Sequence, residues 1–172
     1  SRNYGNIDFG TAADLDHVKL EIHWFDYWLK QRNKGLSETA PWQIFVMGEN
    51  LWRDEPAWPL LRAEEKRLFL SNSHAANTTV GGGKLLWQKP TTSGIDEYTY
   101  DPQNPVPSLH GPGLQARATD QRPLAARQDI LVYQSEPLAE RFEVTGNPQV
   151  TLYAASTASD TDFFARLIDV AP

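Results

Sequence analysis

The residues able to do chemistry are few and badly spaced for it. The nucleophile elbow G-x-S-x-G, whose strained strand-to-helix turn projects a serine in α/β-hydrolases, occurs nowhere in the 172 residues. A triad assembled from other serines would need a histidine with an orienting acid, and none of the four histidines offers one. His17 and His23 stand six apart on a predicted helix, roughly 240° around its axis, so they share no metal, whereas a zincin needs two histidines four apart. His23 precedes Asp26 by three, a spacing for a hydrogen bond on the helix surface. His74 falls in the polar stretch 71–79 and reads as a solvated loop histidine. His110 lies in a proline-rich loop and is the one histidine with a functional case.

Other groups reduce to structural roles. Gly81-Gly82-Gly83-Lys84 is followed by Leu85 rather than Ser or Thr, and Thr78 occupies the place of the first Walker glycine. It reads as a glycine hairpin or bulge between strands. Glu49, Asp54 and Glu55, and the pair Asp160 and Asp162, supply too few oxygens locally for calcium. They read as surface or turn carboxylates, with Asp160-Thr161-Asp162 suited to an Asx turn before a strand. Asn77-Thr78-Thr79 matches a glycosylation sequon. No metal or cofactor site is expected.

Composition narrows the partners. A net charge of −6 gives phosphate no attraction, and there is no Lys/Arg cluster to override it, so nucleic acid is not an expected partner. The apolar runs are too short to span a bilayer, and no n-region and h-region pair opens the chain. Without cysteine there is no disulfide, thiolate site or cysteine nucleophile, and the redox compartment is left open. At 40% hydrophobic and 22% charged residues the chain is ordinary globular material.

One helix must position whatever site exists. After the Gly/Asn-rich loop 1–10, Thr11-Ala12-Ala13-Asp14 resembles a capping box. Leu15, Val18, Ile22, Phe25 and Leu29 then recur at steps of three and four, with Trp24 and Trp28 widening the stripe. With Gly35 as its C′ residue, the helix is predicted over Ala12–Asn33. So apolar a face must pack on something large.

The remainder reads as short strands rich in β-branched and aromatic residues: Gln43–Met47, Arg67–Leu70, Leu85–Gln88, Glu97–Tyr100, Ile130–Gln134, Phe142–Thr145, Gln149–Ala154 and Phe163–Val170. No helical pattern fits between them, which suits a β-sandwich or jelly roll. The connection Asp101–Arg127, with five prolines and two glycines, is long enough to be functional or packed over a neighbour. Five of the six tryptophans precede the predicted sandwich, where they would pack at an interface, and Trp87 is left over.

Several ordered motifs carry a resemblance over nearly the whole chain. They are Trp24-Phe25-Asp26-Tyr27-Trp28-Leu29-Lys30, Phe45-Val46-Met47-Gly48-Glu49-Asn50, Trp52-Arg53-Asp54-Glu55 and Tyr100-Asp101-Pro102. Pro105-Val106-Pro107-Ser108, Asp120-Gln121-Arg122-Pro123 and Asp160-Thr161-Asp162-Phe163 follow. In order and spacing these resemble the acyl-esterase and X-prolyl dipeptidyl-peptidase family of serine hydrolases, which takes in the cocaine esterases and the α-amino-acid ester hydrolases.

The resemblance implies a mixed fold class: the terminal helix and strand of an α/β-hydrolase domain, residues 1–62, followed by part of an all-β jelly-roll sandwich, residues 63–172. It implies that the catalytic His lies a few residues upstream of the motif Asn3–Gly10, hence before Ser1, with the Ser and Asp farther upstream and more strands after Pro172. On that reading the chain has no triad and no activity of its own. Its partners would be the rest of the hydrolase polypeptide and a small ester or amide substrate.

In relatives the jelly roll helps wall the acyl pocket, and the loop after Ser108 is the matching segment. That makes His110, Leu114 and Gln115 the implied pocket-lining residues; the alternative is that this loop only packs between domains. The chain departs from the family in having Leu109-His110-Gly111 where Gly-Gly often follows Ser-Leu, and a shorter loop before Asp120. Unpaired edge strands would make the isolated chain dimerise or aggregate. A carbohydrate-binding β-sandwich, with Trp87 or Trp52 stacking on sugar, and a purely structural or oligomerisation domain are the rivals.

Overall fold

The computed structural model describes residues 2–71, 76–77, 82–92, 94–109 and 118–170. The chain is mixed: one α-helix and three small sheets, with no closed barrel among the described residues. It opens with a hairpin where the sequence suggested loop. Strands β1 (Asn3–Tyr4) and β2 (Ile7–Asp8) pair antiparallel around Gly5-Asn6. Gly5 has φ +66, as the first central residue of a type II′ turn requires.

Helix α1 spans His17–Lys30, shorter at both ends than Ala12–Asn33. Thr11–Ala13 forms a separate 3-10 turn, and Asp16 is the true N-cap, its carboxylate accepting from the Lys19 N–H at 3.0 Å. The helix stops because Gln31 turns left-handed at φ 54. Gly35 instead opens the next 3-10 turn, Leu36–Glu38. Asp26 holds the closing turn together. It is 5% exposed and accepts from Lys30 Nζ and Lys34 Nζ, each at 2.9 Å. These two ammonium groups, not His23, take its carboxylate, and their hydrogen bonds draw it down to about 2.

Strands β3 (Trp42–Val46) and β4 (Leu51–Glu55) form a five-pair antiparallel ladder. Their turn, residues 47–50, needs Gly48 at φ 87 and Asn50 at φ 56, and the Asn50 N–H donates to Val46 O at 2.8 Å. Phe45 faces Trp52 across the ladder at 5.4 Å between ring centroids, and Phe9 meets Phe45 edge-on at 6.0 Å. The Trp52 indole N–H reaches Ala12 O at 2.8 Å, so the N-terminal hairpin and the first 3-10 turn seat on this ladder.

The third sheet joins β5 (Phe69–Ser71), β6 (Gly83–Leu86) and β7 (Tyr133–Gln134), antiparallel then parallel. Gly83 is required there. A Cβ would stand 2.5 Å from Val132 O and 2.6 Å from the Tyr133 ring. Tyr133 donates its hydroxyl to Asp96 at 2.8 Å, and burial, with Asp96 behind it, raises the phenol's pKa.

The other predicted strands do not form ladders. Residues 97–100, 142–145, 149–154 and 163–170 run without regular pairing and are almost all exposed. A strand is completed by its neighbour, and composition alone does not supply one. The buried apolar core is correspondingly small: Val46, Leu60, Ala76 and Leu124.

Candidate functional site

His110, Leu114 and Gln115 lie outside the described residues, as does His74. What the structure gives is the frame that carries the candidate loop. Asp101–Asn104 forms a tight turn: Asn104 N–H donates to Asp101 O at 3.0 Å, and Gln103 N–H to Asp101 Oδ1 at 2.9 Å. Across the gap, Arg127 Nη2 donates to Asn104 O at 2.6 Å while its Nε and Nη2 grip both oxygens of Asp129 at 2.7 and 2.6 Å. The bidentate fork fixes the guanidinium plane, and the remaining donor closes the loop at its base. This fork pulls the largely enclosed Asp129 carboxyl below its ordinary pKa. Nothing in the sequence singled out Arg127, because its partner Asn104 is 23 positions away.

The returning limb is pinned at a second point. Ala118 runs against Gly5, close enough that a Cβ on Gly5 would lie 2.4 Å from Ala118 O. Farther on, Asp120 binds Arg122 through both carboxylate oxygens, which lowers its pKa to about 2. Gln121 Oε1 accepts from Arg166 Nη1 at 2.7 Å. Thus the N-terminal hairpin, the candidate loop and the C-terminal segment meet around residues 118–121.

Charge clusters elsewhere are paired. Glu55, 5% exposed, is held by both Nη atoms of Arg62 at 2.5 and 2.6 Å, which lower its pKa against the opposing effect of burial. Asp54 accepts from Gln43 Nε2 at 2.8 Å, Glu49 pairs with Arg141, and Arg53 with Glu143. Buried Arg53 Nε is the one side-chain donor of this kind with no partner among the described residues. Among the described residues no three His, Asp or Glu side chains cluster as a metal site. None of the described helices is long and apolar enough to cross a membrane.

The aromatic residues divide in two. Trp87 stands 5.6 Å from Phe142 and Trp52 is engaged by Phe45 and Ala12, yet they stay 45% and 38% exposed. By contrast the α1 stripe is open: Val18, Ile22, Trp24, Phe25, Trp28 and Leu29 are all more than half exposed. A cleft of about 440 Å³ lies beside it, walled by Trp24, Tyr27, Trp28, Leu36, Pro41 and Gln43. Its lining holds no carboxylate, imidazole or ammonium group, and its hydroxyls are those of Tyr27, Ser37 and Thr39.

Comparison with known proteins agrees with this picture. Residues 33–172 match the family described as the X-Pro dipeptidyl-peptidase C-terminal non-catalytic domain. Cocaine esterase of Rhodococcus sp. is 42% identical over 171 residues, covering 95% of this chain and 30% of that protein. A protein named "Putative serine esterase" from Mycobacterium bovis is 31% identical over 173 residues, covering 94% of this chain and 25% of its own length. The chain therefore spans less than a third of these relatives. By both the span of the match and the level of identity, the chain belongs to the family of X-Pro dipeptidyl-peptidase C-terminal non-catalytic domains.

Proposed function

We propose that this chain is the non-catalytic portion of a serine hydrolase that cleaves esters or amides through an acyl-enzyme. In this reading residues 1–62 complete an α/β-hydrolase body and residues 63–172 begin a jelly-roll domain. The segment supplies the interdomain scaffold and one wall of the acyl pocket, lined by His110, Leu114 and Gln115. The similarity to cocaine esterase supports an esterase parent.

One structural observation carries the scaffold role. The chain exposes 14699 Å². A compact monomer of 19.4 kDa exposes only about 8,500 Å². The α1 stripe and the strand-like segments after residue 135 account for much of the apolar excess, and both are surfaces suited to being covered. The Gly5–Ala118 contact supports the pocket role, because Ala118, which follows the candidate segment, lies against the motif Asn3–Gly10, which the resemblance sets just after the catalytic His.

The test is to sequence the coding DNA on both sides and to assay the pure chain with a nitrophenyl ester. The reading expects G-x-S-x-G and then a His upstream, and no burst from the chain alone. A burst from the 172-residue chain, or an upstream sequence without that motif, would overturn it.

A further inference from the structure

Three consecutive residues near the end of the chain each hold a different element. Arg141 Nη2 lies 3.0 Å from Glu49 Oε1 in the β3–β4 turn. Glu143 Oε1 accepts from Arg53 Nη2 at 2.5 Å, on β4 itself. Between them, Phe142 packs edge-on against Trp87, which immediately follows β6. Neighbouring side chains of an extended segment point to opposite faces. Residues 141 and 143 therefore address the hairpin, while 142 addresses the other sheet.

The charges also encode position. The hairpin presents an acid at 49 and a base at 53, and the segment answers with a base at 141 and an acid at 143. Sliding the segment by two residues in either direction sets Arg141 on Arg53 or Glu143 on Glu49. Sliding it by one turns Phe142 toward the charges. Glu143 is further steadied by Thr145 Oγ1 at 2.7 Å, and these contacts hold its carboxyl below the ordinary range. The Arg53–Glu143 pair is half-buried, which limits its screening by salt, whereas Arg141 is largely exposed.

We propose that residues 141–143 are a register-coded strap by which the C-terminal part of the chain grips the β3–β4 hairpin, and that salt loosens it. The strap does not depend on the hydrolase reading.

The experiment is amide exchange by mass spectrometry on the full 172-residue chain, following peptides over 139–147 and 48–56. Arg53→Glu and Glu143→Arg should each speed exchange in both peptides by about threefold to tenfold. The double reversal should bring both back to within about twofold of the parent. Moving the parent chain from low salt to 1 M NaCl should also speed exchange, with less effect on either single variant. Should reversal at half-buried Arg53 unfold the hairpin, the second pair, Glu49→Arg with Arg141→Glu, decides the matter alone. Recovery of protection in either double variant supports the strap. Double variants no better protected than their singles, or a parent indifferent to salt, would overturn it.

Discussion

Replacing Gly5 by alanine tests the contact that joins the N-terminal hairpin to the candidate loop. Two costs combine there. At φ +66 an L-residue is strained by about 1–2 kcal/mol. The new Cβ would also stand 2.4 Å from Ala118 O, a backbone atom that cannot swing away, and overlaps of this kind add about 1–3 kcal/mol. Two controls separate the terms. Gly10 at φ +80, ψ 175 and Gly35 at φ +90, ψ 0 also have positive φ, in two different regions, but have nothing within 4 Å of a Cβ. Gly10→Ala and Gly35→Ala should lose only the conformational part. Urea titrations followed by tryptophan emission, with amide exchange read at residues 118–121, would give all three values. Gly5→Ala should be the worst by at least about 1 kcal/mol and should be the one that speeds exchange at 118–121. Equal losses in the three variants would refute the packing of Gly5 on Ala118.

Further outcomes follow from other contacts. Asp26 titrates near 2 in the folded chain against about 3.9 in an unfolded one, so its ion pairs stabilise α1 fully above pH 4 and fail as pH falls toward 2. Circular dichroism at 222 nm should show that acid step, and Asp26→Asn should abolish it. Arg127→Ala leaves the Asp129 carboxylate without its fork and should cost about 1–3 kcal/mol in a urea titration, while Arg127→Lys recovers only part. Phe142→Ala should shift Trp87 emission to the red by opening one side of the indole to water, measurable with Trp87 as the sole fluorophore. In the whole enzyme that we propose, His110→Ala should raise KM and leave kcat nearly unchanged for a bulky acyl ester. A fall in kcat alone would argue against a pocket wall.

The elements legible in the sequence were those specified by nearby residues. Helix α1 announced itself through Val18, Ile22, Phe25 and Leu29, yet its start was misplaced because Thr11 and Asp16 are both acceptable caps and only Asp16 reaches a free N–H. Strand β3 was readable from Gln43–Met47. Its partner β4 was not, since Arg53-Asp54-Glu55 looks like surface until Arg62 is seen to pair with Glu55, Glu143 with Arg53, and Gln43 to donate to Asp54. Residues 142–145 and 149–154 have strand composition without a ladder, because pairing is a property of two segments. The frame of the candidate site was hidden for the same reason: Arg127 and Asn104, or Gly5 and Ala118, are distant in sequence and chemically unremarked.

The Arg127 fork has a bearing on how such a domain can diversify. Because the fork gathers Asn104 and Asp129 into one anchored base and Ala118 is set separately against Gly5, the stretch 105–117 is held at both ends by contacts outside it. Doubling the length of a closed loop costs only about 0.6 kcal/mol. Insertions, deletions and exchanged side chains between 105 and 117 can therefore accumulate at little expense to the surrounding fold. A lineage can rewrite this stretch without renegotiating the architecture that holds it.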